Sequence, residues 1–194
     1  MKRYQLAGLS GVLVSFAIIS GGYASVAAAA MGDSEATTMV GGAPMYPSKN
    51  IIQNAVNSKD HTTLVAAVKA GGLVDTLSGA GPFTVFAPTN EAFAALPAGT
   101  VDKLLKPESK PTLVKVLTYH VVPGRLTAQD LMKAVADGGG KAMLKTVEGD
   151  PLTVMQKGDH LTVTDDKGGV AMVTIGNVYQ SNGVIHVVDK VLMP

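Results

Sequence analysis

From residue 48 onward, the spacing of hydrophobic residues separates a helical part of the chain from a β-rich part. Up to about residue 135, apolar residues recur every three or four positions, which is typical of amphipathic helices. The residues expected to cap these helices are Ser48, Thr89 or Asn90, Thr100, Ser109 and Thr127. One short strand, predicted at 83–87, interrupts the helices and ends at Pro88.

After residue 140, apolar and polar residues alternate, which predicts β-strands. The predicted strands are 141–147, 152–156, 161–164, 170–175 and 184–193. Short gaps rich in Gly, Asp and Asn separate them, and such gaps favour antiparallel hairpins over parallel crossovers. We therefore predict an α+β domain with helices gathered on one side of an antiparallel sheet or sandwich.

The N-terminal segment reads as an export signal. Lys2 and Arg3 are the only charged residues before Asp33, and the apolar run after them ends in small residues. This order predicts a secretory signal over residues 1–30, with cleavage before Met31. The run is also long enough for an uncleaved N-terminal anchor, which is the alternative. Residues 31–47 lack periodicity and are predicted to form a flexible spacer, which leaves 48–194 as one domain.

Composition excludes several classes of protein. Hydrophobic residues make up 46% and charged residues 16%, so the chain is not wholly disordered. It has no Cys, which rules out a disulfide scaffold and a thiolate metal site. A net charge of +1 gives no reason to expect a nucleic-acid partner. The absence of Trp and an aromatic content of 5% argue against an aromatic stacking platform.

Motifs for catalysis and cofactor binding are missing as well. The chain has no G-x-S-x-G motif, and the glycines before Lys141 lack the spacing of a phosphate-binding loop. Asp159, Asp165 and Asp166 lack calcium-loop spacing and are expected in a solvated turn. The histidines have no metal-binding spacing; they are His61, His120, His160 and His186. We predict no catalytic residue, no metal and no cofactor.

Three segments stand out together. The first is Thr84, Val85, Phe86, Ala87, Pro88 and Thr89; the second is Tyr119, His120, Val121 and Val122; the third is Asn182, Gly183, Val184, Ile185, His186 and Val187. In this order and spacing they closely resemble the two sequence boxes and the central Tyr-His motif of the fasciclin domain. The resemblance extends from about residue 51 to the last residue, and it is close to the single-domain secreted fasciclin proteins of bacteria.

The resemblance implies both a fold and a function. The implied fold is a wedge or sandwich of two antiparallel-rich β-sheets with helices packed along one side. The implied function is that of an exported, non-catalytic cell-surface or extracellular adhesion module, secreted or periplasmic, with a protein or polysaccharide partner. We expect a monomer that contacts neither nucleic acid nor, after signal cleavage, the membrane.

Two interpretations of the Tyr119-His120 motif stay open. In the first, the pair belongs to an adhesion epitope, as the resemblance to animal family members implies. In the second, the pair is structural, and His120 bonds to backbone near the turn that follows Pro88. Animal integrin-binding members carry Asp-Ile just before the third segment; here the matching positions are Asn177 and Val178, and the missing carboxylate argues against integrin binding.

Two further expectations concern single residue types. Alternation makes the third segment apolar on both faces, so His186 is expected to be buried among valines with a hydrogen-bond partner. The methionines suggest an alternative function, a periplasmic small-ligand-binding or stress-protective protein. The residues that would line its apolar pocket are Met143, Met155, Met172 and Met193.

Overall fold

The computed structural model describes residues 37–194. The signal or anchor predicted over residues 1–30 and the first part of the predicted spacer lie outside the described residues. The described residues belong to one compact unit, Ser34–Pro194.

The predicted helices and strands appear in the predicted order, together with three short strands before residue 140 that were not predicted. The strands are β1 (Thr38–Val40), β2 (Ala43–Met45), β3 (Phe83–Pro88), β4 (Val121–Pro123), β5 (Lys141–Lys145), β6 (Pro151–Lys157), β7 (His160–Thr164), β8 (Val170–Gln180) and β9 (Gly183–Val188). The helices are α1 (Ile51–Ala55), α2 (Thr62–Gly71), α3 (Val74–Ser78), α4 (Asn90–Ala94), α5 (Thr100–Leu104), α6 (Lys110–Tyr119) and α7 (Ala128–Asp137). Single 3₁₀ turns, Lys59–His61 and Pro107–Ser109, precede α2 and α6.

Most strands belong to a seven-stranded mixed sheet in the order β4-β3-β9-β8-β7-β6-β5, and β1 pairs with β2 in a smaller sheet. The α+β prediction is confirmed. Strands β5 to β9 pair antiparallel in sequence order, as the short gaps predict. The parallel pairing of β3 with β9 was not predicted. Beyond the end of β5, the Val147 N–H donates to the Val121 carbonyl over 2.8 Å and links the two ends of the sheet.

Side-chain capping fixes the start of three of the seven described helices, α1, α4 and α7. Thr89 caps α4 and Thr127 caps α7, as predicted, each through a side chain that accepts a backbone N–H. The cap of α1 is Asn50, with Gln53 completing a capping box, so the prediction of Ser48 was wrong by two residues. Helix α5 begins after Gly99, so Thr100 is its first residue and not its cap.

The sheet is buried by two hydrophobic clusters. The first joins the N-terminal hairpin and helices α1 to α6 to strands β3 and β9, with Leu64, Phe93 and Ile185 among its members. The second joins α7 to strands β5 to β8, with Leu131 and Val154 fully buried. Every residue of β9 is buried, so this strand lies at the centre of the molecule.

The predicted spacer, residues 31–47, differs from the structure in its second part. Residues 38–45 form the β1–β2 hairpin, with Thr38 opposite Met45. Val40 and Met45 are buried in the first cluster, and the hairpin turns at Gly41-Gly42, where both residues have positive φ. The short strands and Pro44 hide this alternation in the sequence. The folded domain therefore includes the hairpin at residues 38–45, ahead of the predicted boundary at residue 48.

Candidate functional site

The Tyr119-His120 motif lies at the end of a helix, not in an extended segment. Tyr119 is the last residue of α6, and His120 follows it with helical backbone angles. Tyr119 is 0% exposed and His120 is 3% exposed, and the next residues, Val121 and Val122, are also buried. No part of the motif forms an open surface, so the geometry supports the structural interpretation.

Tyr119 joins three parts of the chain. Its hydroxyl donates to the Pro151 carbonyl over 3.0 Å and accepts the Asp166 N–H over 3.0 Å. These bonds tie the end of α6 to the start of β6 and to the turn after β7. Burial, as the main cause, raises the pKa of the phenol, so the hydroxyl keeps its proton and its donor role.

His120 is a neutral bridge to the C-terminal segment. Its Nδ1 lies 2.8 Å from the Val116 carbonyl, and its Nε2 accepts the Leu192 N–H over 3.0 Å. Because a carbonyl only accepts, Nδ1 carries the proton and Nε2 is left as the acceptor. Burial lowers the pKa of His120 from its ordinary value of 6.5 to about 4. The predicted bond to the turn after Pro88 was wrong for the ring, which bonds to its own helix and to the C-terminal segment, whereas the His120 backbone carbonyl accepts the Phe86 N–H over 2.9 Å.

Asp165 holds the same C-terminal segment. Its Oδ2 accepts the Met193 N–H over 3.0 Å, and its Oδ1 accepts the Gly169 N–H over 2.6 Å. Asp165 is buried, so the prediction of a solvated turn was wrong at this residue. The structural role of Asp165 was not predicted from the sequence because its partner, Met193, lies far along the chain.

The third segment begins with a buried amide that bonds to the end of α3 and to the start of α1. The Asn182 side chain donates to the Leu77 and Gly79 carbonyls, each over 2.8 Å, and accepts the Ile51 N–H over 3.0 Å. A Cβ at Gly183 would overlap the Phe83 carbonyl oxygen. The Asn-Gly pair therefore permits the close parallel pairing of β9 with β3.

His186 is buried with both ring nitrogens in contact with backbone. Its Nε2 lies 2.8 Å from the Leu126 carbonyl, and its Nδ1 accepts the Asn177 N–H over 3.5 Å. The ring stacks on Phe86 with 5.7 Å between centroids. The structure thus places His186 as its sequence context predicts, and burial lowers its pKa, which favours the neutral ring.

The first segment holds helices in place. Thr84 is fully buried, and its hydroxyl donates to the Gly124 carbonyl over 2.7 Å. After Thr89, the Asn90 side chain accepts the Thr63 N–H over 3.0 Å near the start of α2 and donates to the Lys59 carbonyl over 2.7 Å. Each polar residue of this segment therefore serves a structural bond.

Asn177 and Val178 occupy the positions where animal integrin-binding members carry Asp-Ile. Asn177 is half-buried, whereas Val178 is buried. Asn177 has a φ of 58° within the irregular part of β8. Its Oδ1 accepts the Ala128 N–H over 2.7 Å, at the first residue of α7, and its Nδ2 donates to Gln129 over 3.2 Å. Val178 is buried in the first cluster. Neither side chain projects freely into solvent.

A second group of residues, which sequence reasoning assigned to a pocket, lies on the surface. Met143, Met155 and Met172 are 66%, 42% and 38% exposed. They belong to the outer face of strands β5 to β8, opposite the second cluster, whereas Met193 packs on the first cluster. We call this surface the methionine face. Its outward positions are Lys141, Met143, Lys145, Pro151, Thr153, Met155, Lys157, His160, Thr162, Thr164, Val170 and Met172.

Comparison with known proteins identifies the family. The family model of the fasciclin domain matches residues 59–194. The chain belongs to the fasciclin family. This span contains all three segments that carried the resemblance.

Relatives of this fasciclin chain include bacterial and animal proteins. It is 46% identical to protein sll1483 of Synechocystis, with 94% of this chain and 96% of the relative covered. It is 38% identical to immunogenic protein MPB70 of Mycobacterium bovis, covering 72% of this chain and 66% of that protein. It is also 38% identical to the pig transforming growth factor-beta-induced protein ig-h3, covering 68% of this chain but only 17% of that protein.

A solved structure has the same fold. It is a FAS1 domain pair from the insect cell adhesion molecule Fasciclin I, with a TM-score of 0.69 and 18% identity. The match covers 77% of this chain and 52% of that chain.

The described part of this fasciclin chain gives no sign of a metal site or a membrane span. Residues 37–194 contain no group of three or more His, Cys, Asp or Glu side chains placed to hold a metal ion. Within the same residues, no helix is both long and apolar enough to cross a membrane.

Proposed function

We propose that this fasciclin protein is an exported, non-catalytic adhesion or interaction module that binds a partner at the cell surface. The observation that carries the proposal is that the family motifs and the exposed apolar side chains lie in different parts of the protein. The family motifs are buried and bonded to backbone, whereas the methionine face carries four of the nine large apolar side chains that are exposed in residues 37–194, namely Met143, Met155, Val170 and Met172. A surface of this kind is used for binding to another molecule.

The state of the motif histidines supports a non-catalytic role. A general base needs a free ring nitrogen within reach of a substrate proton. In His120 and His186 both ring nitrogens contact backbone groups, and both rings are buried. The ring nitrogens of both histidines are therefore engaged in hydrogen bonds that stabilise the fold.

The size of the apolar cavities argues against the alternative of a small-ligand-binding protein, and the two larger depressions, of about 210 and 270 Å³, are lined partly by polar and charged side chains such as Glu91 and Asp159. Two apolar cavities beside α1, lined in part by Ile51 and Leu64, each offer about 30 Å³. A drug-sized ligand needs a pocket of roughly 300 Å³ or more. These cavities have room for about one water-sized molecule.

The predicted signal over residues 1–30 supports export to the periplasm or the medium. A related mycobacterial protein is named a cell surface glycolipoprotein and is 34% identical to this chain. Cell fractionation combined with N-terminal sequencing tests this part of the proposal. A mature chain that starts at Met31 is expected, whereas an intact chain in the cytoplasmic fraction would contradict it.

The binding function is tested with protein recovered from the exported fraction. Beads coated with this protein are expected to bind cells of the producing organism saturably, and free protein is expected to compete. Beads coated with an unrelated exported protein of similar charge serve as the control. Binding that does not saturate, or that equals the control, would contradict the proposal.

A further inference from the structure

We infer that the methionine face is the contact surface of this protein and that its partner is a protein presenting apolar side chains bordered by carboxylates. This inference rests on the proposed function, because it assigns that function to a surface and a class of partner.

The strand register places the exposed methionines in neighbouring rows. Met155 pairs with Lys141 on one side and with Thr162 on the other, and Thr162 pairs with Met172. In the next row, Met143 pairs with Thr153. Paired residues of adjacent strands share a face about 5 Å apart, so these side chains form one continuous surface.

The methionines partly cover the sheet beneath them. Thr162 faces outward between Met155 and Met172, yet it is only 7% exposed. Its hydroxyl donates to the Met155 carbonyl over 3.2 Å, so its polar group is satisfied locally. The methionines therefore contribute thioether and methylene groups to the surface that remains for a partner. Methionine is flexible and polarisable, which suits contact with apolar side chains of varied shape.

The lysines of the methionine face indicate the charge that its partner carries. Lys141, Lys145 and Lys157 occupy outward positions of this face, and none of the outward positions in the described strands β5 to β8 carries Asp or Glu. The acidic side chains Asp150 and Asp159 lie in the turns at the ends of these strands. Asp189 lies at the β8 edge, where its carboxylate accepts the Met172 N–H over 2.7 Å. A second copy stacked on this face would bring lysines against lysines, which is unfavourable. A partner with carboxylates around an apolar centre is complementary.

The chemistry of the face favours a protein over a polysaccharide. Its outward positions in the described strands include no Phe, Tyr or Trp, so it offers no aromatic ring on which a sugar could stack. Burial of methionine thioethers is favourable against apolar side chains, which a polysaccharide lacks.

The test compares matched surface variants in the cell-binding assay. Changing Met143, Met155 and Met172 together to Thr keeps a residue that suits strands and removes the apolar surface. The control changes Met39 and Val56 to Thr, since both are exposed but lie outside the face. We expect the face variant to bind at least about tenfold more weakly and the control to bind as wild type does. Melting curves establish that both variants fold.

If the triple methionine variant has a lowered melting temperature, a charge variant tests the same contact surface. Lys141→Glu with Lys145→Glu is expected to weaken binding about tenfold, whereas Lys103→Glu with Lys106→Glu, on and just after α5, is expected to have no effect. Wild-type binding is expected to fall as salt rises and to be lost when the cells are treated with protease.

Each remaining outcome overturns a defined part of the account. Wild-type binding with unaffected face variants overturns this inference and leaves the proposed function standing. Binding that survives protease but is lost after periodate treatment overturns the protein partner in favour of a polysaccharide. Absence of saturable wild-type binding overturns both the inference and the proposed function.

Discussion

His120 shows how one residue of a family motif can serve the fold. Its neutral ring donates from Nδ1 to a carbonyl and accepts at Nε2 from the Leu192 N–H. A protonated ring has no acceptor, so protonation breaks the bond to the C-terminal segment. His120 can therefore bridge its helix and the C-terminal segment only while its ring is neutral.

This requirement predicts a pH-dependent stability. The pKa of His120 falls from 6.5 to about 4 on folding, mainly through burial, partly offset by the Val116 bond and the Asp165 charge. Below about pH 6.5 the unfolded chain takes up a proton that the folded chain refuses, so stability decreases as pH falls towards 4. The contribution of His120 is about 3 kcal/mol, fully present above pH 6.5 and lost near pH 4.

Urea denaturation at pH 7.5, 5.5 and 4.5 measures this effect. The comparison is with His120→Gln, which is expected to be less stable at pH 7.5 and to lose less stability on acidification. Burial also lowers the pKa values of His61 and His186, so the variant retains part of the slope. Equal slopes for wild type and variant would show that His120 is not the titrating group.

Asn177 gives a second prediction about a single residue. Its backbone has a φ of 58°, and its side chain accepts the Ala128 N–H. Asn177→Ala and Asn177→Gly both lose this bond, which contributes about 1 kcal/mol. Ala also pays for the left-handed conformation and is expected to be about 1 kcal/mol less stable than Gly. Thermal melts that rank Gly below Ala would contradict the assigned conformation.

Among the elements, the central β3–β9 pair depends on a residue without a side chain. A Cβ on Gly183 would overlap the Phe83 carbonyl, whereas a Cβ on Gly176 has its nearest neighbour, His186 Nδ1, at 3.5 Å. Gly183→Ala is expected to lower the free energy of unfolding by about 3 kcal/mol. Gly176→Ala, the matched control, is expected to change it little. Comparable denaturation midpoints for the two variants would contradict the close approach.

The sequence predicts elements whose cause is local. Thr89 and Thr127 cap their helices, and the short gaps after residue 140 produce antiparallel hairpins. Pairing between segments that are distant in the sequence leaves no local pattern of residues. The parallel pairing of β3 with β9 could therefore be seen only in the structure. The same reason hid the bond from Asp165 to Met193. The two interpretations of the Tyr119-His120 motif did not include its place at the end of α6, which depends on where the helix stops.

At the scale of the whole molecule, the buried family motifs hold the fold, and the proposed contact with a partner is assigned to the methionine face. The fasciclin motifs join helices, sheet and C-terminal segment inside the protein. The methionine face lies on the outside of the same sheet, opposite the second cluster. Loss of binding after a change in a buried motif would therefore report unfolding rather than a lost contact.

The most direct test measures melting temperature and cell binding on the same two variants. Tyr119→Phe removes a hydroxyl that bonds to Pro151 and Asp166, so it is expected to lower the melting temperature and, well below that temperature, to bind as wild type does. The triple change of Met143, Met155 and Met172 to Thr is expected to melt as wild type does and to lose binding. The reverse pattern, with binding lost in a stable Tyr119→Phe protein and kept in the triple variant, would contradict the account.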